Sequence, residues 1–338
     1  MTIKDVAAYC GVAVSTVSRV LNNHPDVSAE TRAKVLDAVK KLNYVPNNSA
    51  RDLVMVQGDA IGVVVRGAEN PFFTPIISAI ERRCEDAGYT MVLHQIQAQA
   101  DEVSAAAQLV SSKRLKGVIL MGGRYDYLHD EVSVIKVPFV CCSTSAELGD
   151  LAESEYSSVS IDDVAEAYRA TKLLIDHGHT RIAMLLDSKY DHSISQLRLR
   201  GYRAALDDAG IAYDDDLVVQ TVDFTMQAAF AQMERLLARR RDFTALFAVA
   251  DSMAIAAMKA IHNAGLCVPK DISLVAIDGI EMSQYTIPTL TTLSQPQDSM
   301  GKEAVQILLD VLAGVVPSRH VRLKTTLREG ETLASPSH

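Results

Sequence analysis

From Val14 to Asn22 the chain reads VSTVSRVLN. Wound on a helix, Val17, Val20 and Leu21 fall on one side. Ser15, Thr16, Ser18, Arg19 and Asn22 fall on the other, so hydroxyls, an amide and a guanidinium crowd one exposed face. Such a face makes many hydrogen bonds and carries a fixed positive charge. The rest of the chain has no GxSxG or GxGxxG string and no nucleophile, base and orienting group in one pattern, so an enzyme has no residues to stand on and no catalytic residue is expected. His177 and His179 could suggest a metal, but a helix-to-strand turn around Gly178 accounts for them better; no metal ligand and no cofactor is expected. Asp214, Asp215 and Asp216 read as a solvated loop.

The elements that must hold the polar face are short. Thr2 and Asp5 form an N-cap pair, and Ile3, Val6, Ala7 and Cys10 repeat at helical spacing as far as Gly11. The polar helix follows, from about Val14 to Leu21. Ser28 and Thr31 open a third helix, whose apolar stripe is Ala33, Val35, Leu36, Val39 and Leu42 before the stop at Asn43-Tyr44-Val45-Pro46. Small Ala7, Gly11 in the turn and Val17 suit a helix-turn-helix whose second helix enters a major groove. Spacing alone serves a plain three-helix bundle equally well.

The chain has 338 residues and a net charge of -9, with 48% hydrophobic residues. That is too apolar and too long for a disordered or fibrous chain, and the length suits two or three domains. No stretch approaches a membrane span, and the start lacks a secretory layout, so a cytoplasmic protein without a membrane partner is expected. Cys10, Cys84, Cys141, Cys142 and Cys267 lack CxxC spacing, which favours free, mostly buried thiols in a reducing compartment. Residues 1–58 carry a net +2 and the remainder -11, too small a surplus for charge to decide the partner.

From Ile61 onward, apolar runs of strand length alternate with helical patterns. The runs are 61–65, 90–93, 117–121 and 138–142, then, after Asp176-His177-Gly178-His179, 181–186, 217–220, 245–250 and 272–277. Alternation of this kind means parallel sheets covered on both faces. Two like-built lobes would meet at the carboxyl ends of their strands and leave a cleft between them.

DVAAYCGVAVSTVSRVLN, VSAETRAKV and LNYVPNNSARDL resemble the headpiece and hinge of the LacI/GalR family of bacterial transcription regulators. The resemblance continues through Asn70-Pro71-Phe72-Phe73, the segment Asp176 to Ile182, Arg198 to Tyr202, Ser273 to Asp278 and Pro288 to Thr292, and so spans nearly the whole chain. It implies a small all-α helix-turn-helix headpiece (1–46), a hinge helix and linker (47–58), a two-lobe α/β core like periplasmic binding proteins (59–330) and a short tail (331–338). The first lobe would own about residues 59–160 and a closing segment near 293–326. The tail has no heptads, so a tetramer-forming helix is not supported.

Carried onto this chain, the family pattern implies that Val14, Ser15 and Arg19 face base edges, Arg19 matching guanine O6 and N7. Thr2, Thr16, Ser18, Asn22, Ser28 and Thr31 would serve phosphates or register. Asn47 to Leu53 would order on the operator, with Ala50 beside Leu53 as the minor-groove wedge. The position after Val12 is usually serine in the family; Ala13 removes that cap. For the effector, the resemblance implies the polar pair Arg198 and Asp278, stacking aromatics Phe72 and Phe73 at one lip and Phe224 at the other, and, less directly, Asp162 at the start of a first-lobe helix and His192. A core role is the rival reading for each aromatic. Ala250 stands where relatives carry Asn before the aspartate at Asp251, and Gly279 where a polar side chain is frequent, so the ligand set is altered.

The expectation is a dimeric, effector-responsive regulator, a repressor, reading double-stranded operator DNA under control of a sugar or sugar-like ligand. The alternative is a sugar-binding receptor without DNA function, built on residues 59–338.

Overall fold

The computed structural model describes residues 2–21, 26–42, 59–144, 148–188 and 192–336. The chain divides into a small unit, residues 1–58, and a large one, residues 59–338.

In the small unit, α1 (Ile3–Cys10), α2 (Val14–Leu21) and α3 (Ala29–Lys41) pack around Val6, Ala7, Cys10, Val17, Val20, Val35 and Ala38. Thr2 donates from its backbone N–H (2.7 Å) and its hydroxyl (3.0 Å) to the Asp5 carboxylate, which holds that group below the usual carboxylate range. Gly11, at φ +61°, ends α1, and Val12 N–H returns to Ala7 O at 3.1 Å. The stripe of α3 differs from the sequence expectation: Leu36 is 44% exposed and Ala33 is exposed, while Ala38 is buried. The stripe therefore runs through 35, 38, 39 and 42, a spacing of three and four that puts Leu36 one hundred degrees off the packed face.

The large unit begins with β1 (Ala60–Arg66), α4 (Phe73–Asp86), β2 (Thr90–Ile96), α5 (Glu102–Lys113), β3 (Gly117–Met121), α6 (His129–Val132), β4 (Phe139–Cys142) and β5 (Ser157–Ser160). The chain then crosses to a second lobe: α7 (Asp163–Asp176), β6 (Ile182–Leu186), α8 (Ile194–Asp208), β7 (Val218–Gln220), α9 (Met226–Arg239), β8 (Ala245–Ala248), α10 (Asp251–Asn263), β9 (Ser273–Asp278) and β10 (Thr291–Ser294). It returns to lay α11 (Gln297–Leu312) on α4 and β11 (His320–Arg322) beside β5, and crosses once more into β12 (Thr326–Arg328). The sheets run β11-β5-β4-β3-β1-β2 and β12-β10-β9-β8-β6-β7. All pairings are parallel except β12, which lies antiparallel to β10. The central strands β3 and β6 are buried along their whole length, as two-sided cover requires.

Two boundaries differ from expectation. The first-lobe return covers 297–322 rather than 293–326, because β10 and β12 belong to the second sheet. The helix that Asp162 opens, α7, packs on α8 and β9 and so is part of the second lobe, not the first. Gly201 of α8 makes that packing close: a β-carbon there would lie 2.1 Å from Val164 O. Residues 331–336 run along the second lobe, with Thr332 buried and bonded to Leu274 O (2.7 Å) and Ala334 O bonded to His179 Nε2 (2.8 Å).

Candidate nucleic-acid interface and ligand cleft

On α2, Val17 and Val20 turn inward, while Val14 (40%), Ser15 and Arg19 are exposed and Thr16 and Ser18 half-buried. A helix places residues 14, 15, 18 and 19 on one face, so apolar, hydroxyl and guanidinium groups are presented together to solvent. Ala13 has no side-chain cap to offer; its carbonyl accepts from Thr16 N–H (2.9 Å) and Val17 N–H (3.2 Å), which starts the helix. Ser28 caps α3, its Oγ accepting from Thr31 N–H (3.3 Å) and donating to Thr31 Oγ1 (2.9 Å). Asn22, Asn47, Ala50 and Leu53 lie outside the described residues.

In the large unit each sheet reverses its strand order at one place, between β1 and β3 in the first lobe and between β6 and β8 in the second. Strand neighbours there send their following loops to opposite faces, which opens a crevice at the carboxyl ends. A cleft occupies this position. The first lobe lines it with Arg66, Asn70, Phe73 and Ser143, and the second with Asp187, Ser193, Ile194 and Phe224. Two aromatic rings and a handful of polar groups make a lining suited to a small ligand with both apolar and hydroxylated faces. Ser143 adopts φ +61°, an unusual conformation for a residue with a side chain.

Asn70 is buried and its Oδ1 accepts from Phe72 N–H (3.1 Å), which folds the NPFF turn. That turn separates the two phenylalanines. Phe73 lines the cleft, whereas Phe72, 3% exposed, packs into the first-lobe core and leaves the proposed stacking pair to Phe73 and Phe224. Arg66 Nε donates to Ala98 O (2.5 Å) and Nη1 lies 3.9 Å from Glu102 Oε2. Glu102, 1% exposed, also accepts from Arg124 N–H (2.7 Å); burial raises its carboxyl above the ordinary range, and Arg66 opposes that.

Arg198 and Asp278 come together, with Nη1 3.7 Å from Oδ1, but both are buried in the second lobe. Arg198 Nε donates to Asp163 Oδ1 at 2.8 Å and Nη1 to Val249 O. Asp278 accepts from Gln295 Nε2 (2.9 Å), and its backbone oxygen accepts from Gln297 Nε2 (3.0 Å), so it is tied to the segment crossing back to the first lobe. Burial and the nearby Asp251 raise its carboxyl, against the pull of Arg198. Asp251 turns away from the cleft to Thr292 Oγ1 (2.6 Å), Ser283 Oγ (2.9 Å) and Ile280 N–H (2.9 Å). Ala250 beside it is buried. Gly279 is required by space, since a β-carbon would lie 2.1 Å from Ser294 Oγ.

Asp162 is a helix cap, its Oδ1 accepting from Ala165 N–H (3.0 Å) and its Oδ2 facing Arg322 at 3.6 Å. His192 stands on the cleft rim, half exposed, edge-on to Tyr125. His179 is buried between Thr244 Oγ1 (2.8 Å) and Ala334 O (2.8 Å), and burial lowers its pKa, so it is a neutral packing residue. No cluster of three metal-ligating side chains occurs among the described residues. Sequence reasoning missed Arg66, Asn70, Ser143, Asp187 and Ser193 as lining groups; their shared signal is position at a strand's last residue or in the stretch between that strand and the next element.

A helix-turn-helix unit followed by a two-lobed α/β core with a cleft at both switch points defines a ligand-responsive DNA-binding regulator. Residues 2–47 match the bacterial regulatory proteins, lacI family, and residues 171–333 a periplasmic binding protein-like domain. The chain is 40% identical to the HTH-type transcriptional regulator MalR of Clostridium butyricum, over 98% of this chain and 99% of that one. It is 35% identical to the ribose operon repressor of Escherichia coli K12, over 91% and 92%. Among solved structures, a transcriptional regulator CelR-cellobiose complex superposes with a TM-score of 0.72 at 32% identity, covering 98% and 99% of the two chains. A lac repressor dimer bound to operator and the anti-inducer ONPF gives 0.74 at 28% identity, covering 99% of each. The chain belongs to the lacI family of bacterial regulatory proteins and is a DNA-binding transcription regulator. No helix among the described residues is long and apolar enough to cross a membrane.

Proposed function

We propose that the protein is a homodimeric transcriptional repressor whose operator affinity is set by a sugar or sugar-like ligand held between the two lobes. The observation that carries this reading is the cleft with Phe73 and Phe224 facing polar groups of both lobes, in one chain with the exposed α2 face. The rings would cover the apolar face of a sugar, and Asn70, Ser143, Asp187 and Ser193 would take its hydroxyls. A ligand touching both lobes favours one lobe arrangement and shifts the population toward it. Relatives described as a ribose operon repressor and as a cellobiose complex support the sugar class.

On DNA, Val14, Ser15 and Arg19 read bases, Thr2, Thr16, Ser18, Asn22, Ser28 and Thr31 set register, and Asn47, Ala50 and Leu53 act in a hinge over 47–58. A second copy would cover the apolar outer face formed by Ile255, Met258 and Ile287, the last 96% exposed, next to Tyr285 at 76%. The protein works in the cytoplasm by binding, without turnover and without a cofactor.

Thermal-shift titration of the full chain with cellobiose, D-ribose and other neutral sugars, against nucleosides and phosphorylated metabolites, tests the ligand class. A sugar at about a hundred times its Kd stabilises the fold by about 2.7 kcal/mol, and the shift vanishes in Phe224→Ala. A response confined to nucleosides sinks the sugar reading. Arg19→Ala loses about 1–3 kcal/mol on duplexes selected for binding, at one base position; an equal loss on every duplex removes its base-reading role.

A further inference from the structure

One rim of the cleft is fastened by a first-lobe loop. Tyr125, four residues beyond β3, donates its backbone N–H to His192 O of the second lobe at 2.9 Å. Its hydroxyl donates to Gln196 Oε1 on α8, and its ring stands edge-on to the His192 imidazole with centroids 5.7 Å apart. The loop is itself braced. Arg124 grips Asp126 through two bonds (2.8 and 3.0 Å) and lies 5.1 Å from the Tyr127 ring centre, while the Tyr127 hydroxyl donates to Asp101 Oδ2 at 3.1 Å. Gly149 N–H donates to Tyr125 O and ties the loop to its own lobe. Charge plays little part: His192 Nε2 is 3.9 Å from Asp126 Oδ2, whose charge Arg124 already balances.

The chain neighbours of both partners, Gly122 and Gly123 on one side and Ser193 and Ile194 on the other, line the cleft. Opening the lobes on this side must therefore break the Tyr125 contacts. Another bond between the lobes, from Gln99 Nε2 to Val222 O, is longer, at 3.4 Å. We propose that Tyr125, seated on His192 and Gln196, is an interlobe latch that sets how often the ligand-free lobes stand closed. His192 serves it through its backbone oxygen and ring edge rather than as a ligand contact. Because a ligand that prefers closed lobes binds more weakly when that state is less populated, the latch also scales ligand affinity. The inference does not depend on which ligand the cleft takes.

Amide hydrogen exchange of the ligand-free full chain tests it. Tyr125→Phe and Gln196→Ala each cut the hydroxyl link, and each accelerates exchange across 122–128 about fivefold, the scale of one hydrogen bond. β3 keeps its wild-type protection. The double variant exchanges no faster than either single one, because both remove the same bond. Unchanged exchange at 122–128 would overturn the latch, as would additive effects. So would equal acceleration in β3, which would make residue 125 a folding contact.

Discussion

The two lobes share one strand order, yet their interiors below the cleft are charged differently. Among the described residues, the first lobe buries one carboxylate, Glu102, against Arg66 and the Arg124 N–H. The second buries Asp163, Asp251 and Asp278 against Arg198 and the half-buried Arg328. Three carboxylates facing two guanidiniums leave one negative charge unmatched. Burial raises the carboxyls of both Asp278 and Asp251 above the ordinary range, Asp278 the further, so the proton that resolves this belongs to that pair. The same strand order thus carries unequal electrostatics. The lobe tied through Asp278 to the crossover residues Gln295 and Gln297 is the one whose folding depends on charge matching.

That contrast can be tested most severely at Asp251. Asp251→Ala strips three donors and leaves Arg328 facing an empty site, and about 3–5 kcal/mol of stability is lost in denaturant unfolding. Glu102→Gln is milder, about 1–3 kcal/mol, because an amide oxygen still accepts from Arg124 N–H. A Glu102 effect as large as that of Asp251 would erase the difference between the lobes. The pH dependence comes next. Burial raises the Asp278 carboxyl above its unfolded value of about 3.9. Its contribution is full below that value and is lost as pH rises through the folded pKa. Melting temperature therefore falls by a few degrees between pH 5 and pH 8.5, and Asp278→Asn flattens the profile; an unchanged slope would move the proton elsewhere. Least is expected of Asp162→Ala, about 1 kcal/mol from a lost cap, with sugar titrations unchanged. Weakened sugar binding at unchanged stability would return Asp162 to the ligand site.

Much of this was readable beforehand where a local period governs. The runs at 117–121 and 181–186 became β3 and β6 almost residue for residue, because a strand buried on both faces must be continuously apolar. The α2 face was readable for the same reason. Phe72 and Phe73 were not separable, since neighbouring residues at a helix start diverge by about a hundred degrees and only the packed surroundings choose which ring enters the core. Arg198 and Asp278 lie side by side, but their burial is hidden from the sequence, because a sequence does not show which charges neutralise one another inside a lobe. The sequence places Asp162 in the first lobe and the structure in the second, because the crossover at 160–163 has no compositional mark.

What the sequence by itself determined is the set of elements and the family: short amphipathic helices with their caps, apolar strands in alternation with helices, and a helix face of hydroxyls around Arg19. These depend on neighbours within a few turns. The tertiary structure alone decided which lobe owns α7, why residue 279 must be glycine, which cleft groups face one another and where the lobes are fastened. Those are contacts between residues far apart in the chain, such as Tyr125 with Gln196 and Asp251 with Thr292. They form only once two sheets have brought their carboxyl ends together.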